Sequence, residues 1–374
     1  MKVEVDYSGT IENFAKIIES FDKSKSINGI IILSCDANDF CKDEVDKILL
    51  NIAKPVFGGI FPSIIYANKK LDKGTIIVGI DSKPEINIIQ NISDENINFE
   101  NQIKLNEKNH SPIKTMFVFV DGLSGRISSF IDSIFINYGL EYNYIGGGAG
   151  SLSFNQKPCI YTNQGLLKDC AIIAGVSSES GVGVAHGWED IEGPYKVTKA
   201  YKNIIKELDW KPAFEVYKNI VNKYSEIKIS KDNFFDIAKA FPFGLSKMGS
   251  EKIVRDPIAV NSDNSLVCVG EVPEEAYIYI LKGNPNLLIT AAETALKLGK
   301  QSLPSNKKYK YSFFIDCISR VLFLEDDFQK ELDIVNKDHL QLFGALTLGE
   351  IANNKKKYLE FYNKTTVIGT FEKL

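Results

Sequence analysis

Runs of apolar residues closed by a small or acidic residue recur along the chain, each followed by the same succession of patterns. Gly29-Ile30-Ile31-Ile32-Leu33-Ser34-Cys35-Asp36 predicts a buried strand with a polar end. Val45, Ile48, Leu49 and Ile52 then fall at helical spacing, predicting a helix over 44–52 that Pro55 stops. Val56-Phe57-Gly58-Gly59-Ile60 predicts a second strand, Asn68-Lys69-Lys70 a polar turn, and residues 75–80 a closing strand.

The succession returns twice. Met116-Phe117-Val118-Phe119-Val120-Asp121-Gly122 opens a second copy, with a helix over 127–138 ended by Gly139, then Ile145-Gly146-Gly147-Gly148-Ala149-Gly150. A hairpin around Thr162-Asn163-Gln164-Gly165 and a strand over 170–176 complete it. Tyr311-Ser312-Phe313-Phe314-Ile315-Asp316-Cys317 opens a third copy, with a helix over 328–335, Phe343-Gly344-Ala345, a turn at 353–357 and strands over 358–362 and 366–371. Strand, helix, glycine-bearing strand, hairpin and strand, repeated, predict an α+β fold of two packed domains, with helices layered on largely antiparallel sheets. Residues 83–112 read as a long polar connection carrying a short strand. Residues 197–240 read as amphipathic helices, with Ala200, Ile204, Ile205 and Leu208 on one face, and mark the boundary between domains 1–205 and 206–374. Residues 242–282 are strand-rich and, with a helix over 287–298 capped by Gly299, read as a degenerate fourth copy.

Charge and composition narrow the function. Charged residues of both signs are mixed, and the net charge of −4 leaves no basic footprint for nucleic acid. No apolar run approaches the roughly 20 residues of a membrane helix. The charged, alternating N-terminus reads as a first strand, not a signal peptide. Cys35, Cys41, Cys159, Cys170, Cys268 and Cys317 form no Cys-x-x-Cys pair, which predicts buried free thiols and a cytoplasmic setting.

Several residues carry candidate chemistry. Asp36, Asp121 and Asp316 stand at strand ends, where a carboxylate either caps the next helix or holds a ligand ammonium or hydroxyl. The glycine run at 146–150 is no phosphate loop: Ser151 stands where a dinucleotide fingerprint needs glycine, and no Lys-Ser/Thr pair follows. Gly147 and Gly148 instead admit close approach of backbone or ligand. With three histidines in all, a three-His zinc site is excluded, since His110 and His339 lie in polar contexts far from His186. His186 itself reads as a ligand contact, a haem axial ligand or a hydrogen-bonded core residue. Cys317, with Arg320 three residues on, sits at a helix start that would lower its pKa, yet no neighbouring motif supplies a base. Arg320 and Glu350 are readable as a buried ion pair or as the two poles of a zwitterion site, and Asn363 as another polar residue in an apolar strand.

These residues resemble the FIST proteins. The N-terminal likeness rests on Phe57-Gly58-Gly59, Phe119-Val120-Asp121-Gly122, Gly146-Gly147-Gly148, Ala185-His186-Gly187-Trp188 and Tyr195-Lys196-Val197-Thr198. The C-terminal likeness rests on Ala240-Phe241-Pro242-Phe243-Gly244, Ile253-Val254-Arg255, Gly270-Glu271-Val272-Pro273-Glu274, Cys317-Ile318-Ser319-Arg320, Gly349-Glu350-Ile351 and Tyr362-Asn363-Lys364-Thr365. Asp316 and Glu275 depart from the family pattern, which has small residues there. The resemblance implies a sensory module for a small ligand, amino acids or related metabolites, with no resident cofactor and no metal. Output modules fused in relatives are not expected on this chain, so a separate signalling protein is the implied partner. Haem-binding nitric oxide sensing, through His186, is one alternative; an enzyme using Cys317 or the Asp121 and Glu350 carboxylates is another. The ligand-site residues implied are Asp121, Gly147, Gly148, His186, Arg255, Cys317, Arg320, Glu350 and Asn363, where the strand ends of the repeats converge.

Overall fold

A computed structural model describes residues 1–104, 113–246, 252–305, 308–338, 341–353 and 358–374. The three copies are three units of one topology. The first comprises β1 (Lys2–Asp6), α1 (Ile11–Lys23), β2 (Gly29–Cys35), α2 (Lys42–Leu49), β3 (Val56–Phe61), β4 (Ser63–Tyr66), β5 (Lys69–Leu71) and β6 (Thr75–Ile80). The second comprises β7 (Glu85–Gln90), α3 (Phe99–Gln102), β8 (Thr115–Asp121), α4 (Ile127–Tyr138), β9 (Asn143–Ala149), β10 (Ile160–Thr162), β11 (Gly165–Leu167) and β12 (Cys170–Val176). The third opens with β13 (Ser180–Ala185) and is then interrupted.

The interruption is β14 (Glu189–Tyr201), β15 (Ile204–Leu208), β16 (Lys211–Pro212), α5 (Ala213–Tyr224), α6 (Phe234–Ala238), β17 (Phe243–Leu245), β18 (Ile253–Val260), β19 (Leu266–Val269) and β20 (Tyr277–Lys282). The third unit resumes with α7 (Pro285–Ser302), β21 (Tyr311–Cys317), α8 (Ile318–Leu324), α9 (Phe328–Val335), β22 (Gln341–Thr347), β23 (Glu350–Asn353), β24 (Glu360–Tyr362) and β25 (Thr366–Phe371).

In each unit the two strands joined by a helix pair in parallel: β2 with β3, β8 with β9, β21 with β22. The other pairings are antiparallel, and the strand leading each unit closes its outer edge. The hairpin does not stay with its own unit. β4–β5 joins β22 of the third unit, β10–β11 joins β3 of the first, and β23–β24 joins β9 of the second. The result is three six-stranded sheets, each finished by a neighbour's hairpin.

The sheets face one shared core. Phe117 of the second sheet lies 5.7 Å from Phe57 of the first, and 5.5 Å and 5.9 Å from Phe313 and Phe371 of the third. Burying each such ring contributes about 1.5–3 kcal/mol. Helices cover the sheets' other faces: Phe14, Ile18 and Phe21 of α1 and Val45 and Leu49 of α2, then Phe130, Ile131 and Ile134 of α4, and Leu288, Ala292 and Ala295 of α7 are all buried.

The inserted strands run β14-β20-β17-β18-β19-β15, and β15 pairs back to β14, closing an antiparallel barrel. Two readings of the sequence are corrected here. Residues 197–208 form a hairpin, not a helix: Val197, Ile205 and Leu208 are buried in the barrel core, which supplies a partner for alternation that also fits a helical face. Residues 242–282 are barrel strands without the parallel pair that defines a unit. Position 205/206 falls inside β15, and the barrel as a whole sits between β13 and α7. Helix α1, which the sequence reading passed over, fits its Thr10 cap: Thr10 Oγ1 accepts from Asn13 N.

Gly299 does not end its helix. It lies within α7, where Gly181 and Gly183 of β13 bring strand and helix backbones together: a Cβ on Gly183 would stand 1.9 Å from Ala295 O. The glycine shared by the three units has one physical reason. A Cβ on Gly58, Gly146 or Gly344 would stand 1.9, 1.8 or 1.7 Å from the carbonyl oxygen of Ile32, Val118 or Phe314 on the parallel neighbour. Gly344→Ala is expected to destabilise by about 3 kcal/mol or more, and Gly125→Ala by about 0.5 or less; the nearest atom to a Gly125 Cβ is 3.7 Å away. Equal denaturant midpoints for the two variants would refute the assignment.

Candidate functional site

A cavity of about 250 Å³ opens where the second and third units meet the barrel. Its walls are the loop from Gly122 to Ser128 that leads β8 into α4, the start of α8 from Cys317 to Leu322, and the Leu348–Gly349 turn between β22 and β23. Asp256 and Ile258 of β18 and Cys268 and Val269 of β19 supply the barrel side, Phe361 and Asn363 flank it, and Leu152 and Phe154 stand at the half-exposed rim.

Backbone packing places the turn. Leu348 N donates to Gly148 O at 2.9 Å, and Gly148 N to Gly349 O at 2.8 Å. A Cβ on Gly148 would lie 2.7 Å from Leu348 O, and one on Gly147 2.7 Å from Gly349 O. Gly147 and Gly148 therefore seat another unit's turn on bare backbone, and neither lines the cavity.

Register makes the three junctions comparable. Cys35, Asp121 and Cys317 end equivalent strands opposite Phe61, Ala149 and Thr347. Two residues further on stand Ser63, Ser151 and Gly349. Ser63 Oγ donates to Asp72 at 2.7 Å, with Lys70 Nζ at 2.6 Å. Ser151 Oγ donates to Asp36 at 2.6 Å, with Lys157 Nζ at 2.5 Å. Two junctions thus carry a Ser–Asp–Lys cluster where the third has glycine and a cavity.

Of the residues implied by the sequence, Cys317 and Asn363 line the cavity. Asp121 is buried one residue behind it and ties loops together: Leu123 N, Asp169 N and Gln156 Nε2 donate to its carboxylate at 3.1, 2.8 and 2.8 Å. Arg255 stands behind the wall, donating to the carbonyls of Glu271 (3.0 Å), Val254 (3.1 Å) and Phe361 (2.9 Å), so it holds two lining segments in place. His186 is buried away from the cavity; its Nδ1 accepts from Trp188 N at 2.9 Å, and burial and the Arg320 guanidinium push its pKa down to about 4. His110 and His339 lie outside the described residues.

Arg320 and Glu350 do not pair. Arg320, fully buried, meets Asp316 at 2.9 Å and Glu331 at 2.8 Å, and donates to His186 O and Leu288 O at 2.8 and 3.0 Å. Asp316 sits one turn earlier on the chain and Glu331 on α9 packs across it, so both satisfy the guanidinium before Glu350 can. Glu350, also fully buried, accepts from Thr347 Oγ1 at 2.8 Å and Thr365 N at 3.2 Å. Burial first, then the Asp316 carboxyl, raises its pKa well above the usual carboxylate range. Burial and the adjacent Glu350 likewise push the Cys317 thiol up, the reverse of a helix-start thiolate. Five of the six cysteines are buried, whereas Cys41 is exposed, and none is in a disulfide.

Sequence reasoning missed Asp256, Ser319 and Lys364. Lys364 Nζ lies 3.2 Å from Asp256 Oδ2, donates to Lys239 O at 2.9 Å, and stands 5.0 Å from the centre of the Trp188 ring. Ser319 Oγ donates to Asp256 Oδ2 at 2.7 Å. The available signal was a charged pair, Arg255-Asp256, inside an apolar strand, and a lysine between Asn363 and Thr365. Among the described residues no group of three metal-ligating side chains forms a metal site, and no helix is long and apolar enough to cross a membrane.

The FIST N domain model matches residues 30–211 and the FIST C domain model residues 213–353. The chain belongs to the FIST family. FIST domains are associated with sensory signal transduction and small-ligand binding. No curated protein matches the chain. The two FIST matches meet inside the barrel, and the cavity takes walls from both of them.

Two measurements check the site's electrostatics. Iodoacetamide at about pH 8 is expected to label Cys41 and spare Cys317 until the protein is denatured; prompt native labelling of Cys317 would contradict its neutral, buried state. The raised pKa of Glu350 means that the folded chain keeps a proton the unfolded chain loses at about pH 4.3. That contribution is full below the unfolded pKa and is lost as pH rises toward the folded one. Glu350→Gln is therefore expected to gain in Tm over the parent progressively as pH rises above the unfolded carboxylate's pKa of about 4.3. Parallel Tm profiles would show that Glu350 ionises without cost.

Proposed function

We propose that this chain is a small-ligand-binding sensory protein whose ligand, an amino acid or related metabolite, occupies the cavity between the three-unit body and the barrel. The observation that carries this reading is the cavity's construction. Its volume of about 250 Å³ suits a compact metabolite, its walls are mostly apolar, and a few buried polar atoms are placed among them. Because the walls come from loops of the second unit, the third unit and the barrel, a ligand there touches all three, and its binding energy can bias how they sit together. The half-exposed Leu152 and Phe154 at the rim supply a cover that can respond to occupancy. We further propose that the signal passes to a separate protein and that the setting is cytoplasmic, which the unpaired cysteines support. His186, outside the cavity and bonded to Trp188 N, favours a small metabolite over haem.

A ligand that binds the folded state alone raises the melting temperature at saturation. Thermal melts against amino acids, nucleotides, short acids and haemin are expected to show a shift for an amino-acid-sized compound. Ile258→Trp, which fills the cavity from the barrel side, is expected to keep the fold and abolish the shift. A shift that survives Ile258→Trp would move the site elsewhere.

A further inference from the structure

Most side chains of the cavity wall that can donate are already engaged; Ser128 Oγ, beside the Glu271 carboxyl, is buried without a hydrogen-bond partner. Arg126 donates to the carbonyls of Asp94 and Ile97, Lys202 to Glu95 at 2.7 Å, and Asn203 Nδ2 to Cys268 O at 2.8 Å. Asn363 Nδ2 donates to Tyr362 O at 3.1 Å, which leaves the amide oxygen on its other side.

The acceptors are not all engaged. Asp256 Oδ1 and Asn363 Oδ1 belong to residues that line the cavity, each 1% exposed, and neither oxygen has a hydrogen-bond partner. Lys364, next to Asn363 in the chain, reaches the other Asp256 oxygen at 3.2 Å, and Asp256 and Asn363 line the same cavity. Ser319 also turns to Asp256 Oδ2, leaving Oδ1 without a donor. A buried oxygen without a donor is costly and is retained where something else satisfies it. The Glu271 carboxyl, part-buried on the same wall, adds a further acceptor.

We infer that the ligand presents a protonated amine to Asp256 and Asn363 while its carbon body lies on the apolar wall of Ile258, Val269 and Phe361. An ammonium carries three donors and no acceptor, which complements a carboxylate oxygen and an amide oxygen and suits neither a carboxylate nor a phosphate. This deepens the ligand-binding reading and rests on the cavity being the ligand site. Asp256, rather than a strand-end aspartate, then receives the amine.

Three probes with one phenyl body separate the possibilities: phenethylamine with an ammonium alone, phenylalanine with both charges, and 3-phenylpropanoate with a carboxylate alone. Titration calorimetry of the whole chain is expected to show phenethylamine and phenylalanine binding at least about tenfold tighter than 3-phenylpropanoate, about 1.4 kcal/mol. Asn363→Leu, which keeps the shape and removes the oxygen, is expected to weaken phenethylamine by about tenfold with Tm little changed. Asp256→Asn, checked for folding by circular dichroism, is expected to weaken it further. Preferred binding of 3-phenylpropanoate, or phenethylamine affinity unchanged in Asn363→Leu, would overturn the ammonium inference and leave the cavity reading standing. Silence from all three probes would overturn both.

Discussion

Backbone hydrogen bonding between one unit's hairpin and another unit's central strand is the constraint on which the molecule depends. A strand edge left open exposes unpaired amide and carbonyl groups and templates association. Here β3, β9 and β22 would each be such an edge, and each is covered by the hairpin of a different unit. The exchange runs round all three units, so removing any one opens one neighbour's sheet and leaves the other neighbour's hairpin without its partner strand. The phenylalanines of the shared core pack across the sheets that these hairpins tie together.

Glycine makes that arrangement possible at two levels. Within a unit, Gly58, Gly146 and Gly344 let parallel neighbours approach until a single Cβ would overlap a carbonyl oxygen. Between units, Gly147 and Gly148 let the Leu348–Gly349 turn rest on the β9 backbone. Charge plays a different part. Arg320 with Asp316 and Glu331, and Lys364 with Asp256, are fully buried ion pairs, weak evidence for stability but demanding of geometry, because losing one partner strands the other away from water. They sit between the start of α8 and its surroundings, the same place that bounds the cavity.

The site exists because the three junctions are not alike. The first two hold Ser63 or Ser151 with an aspartate and a lysine, while the third has Gly349 and faces a barrel that the other units lack. A ligand therefore meets one distinct interface in a body that is otherwise repeated. Loops from both FIST matches contribute to it, so occupancy and the relative placement of barrel and units are linked through the same contacts.

The chain's own pattern determined the repeat, the α+β layering and many individual elements. Strands 29–35, 170–176 and 366–371 and the helix 127–138 with its Gly139 cap stand where apolar runs, helical spacing and glycine place them, since these signals are local. Residues 197–208 became a hairpin because burial in a closed barrel outweighs a spacing that suits a helix equally well. Only the tertiary structure decided which unit receives which hairpin, because strand pairing between distant segments leaves no mark on local periodicity. It likewise decided that Arg320 turns to Asp316 and Glu331 instead of Glu350, and that Asp256, a residue of the cavity wall, keeps one carboxylate oxygen without a hydrogen-bond partner. Sequence names the charges; which of them meet depends on the packing of elements more than sixty residues apart, as Asp256 and Ser319 are.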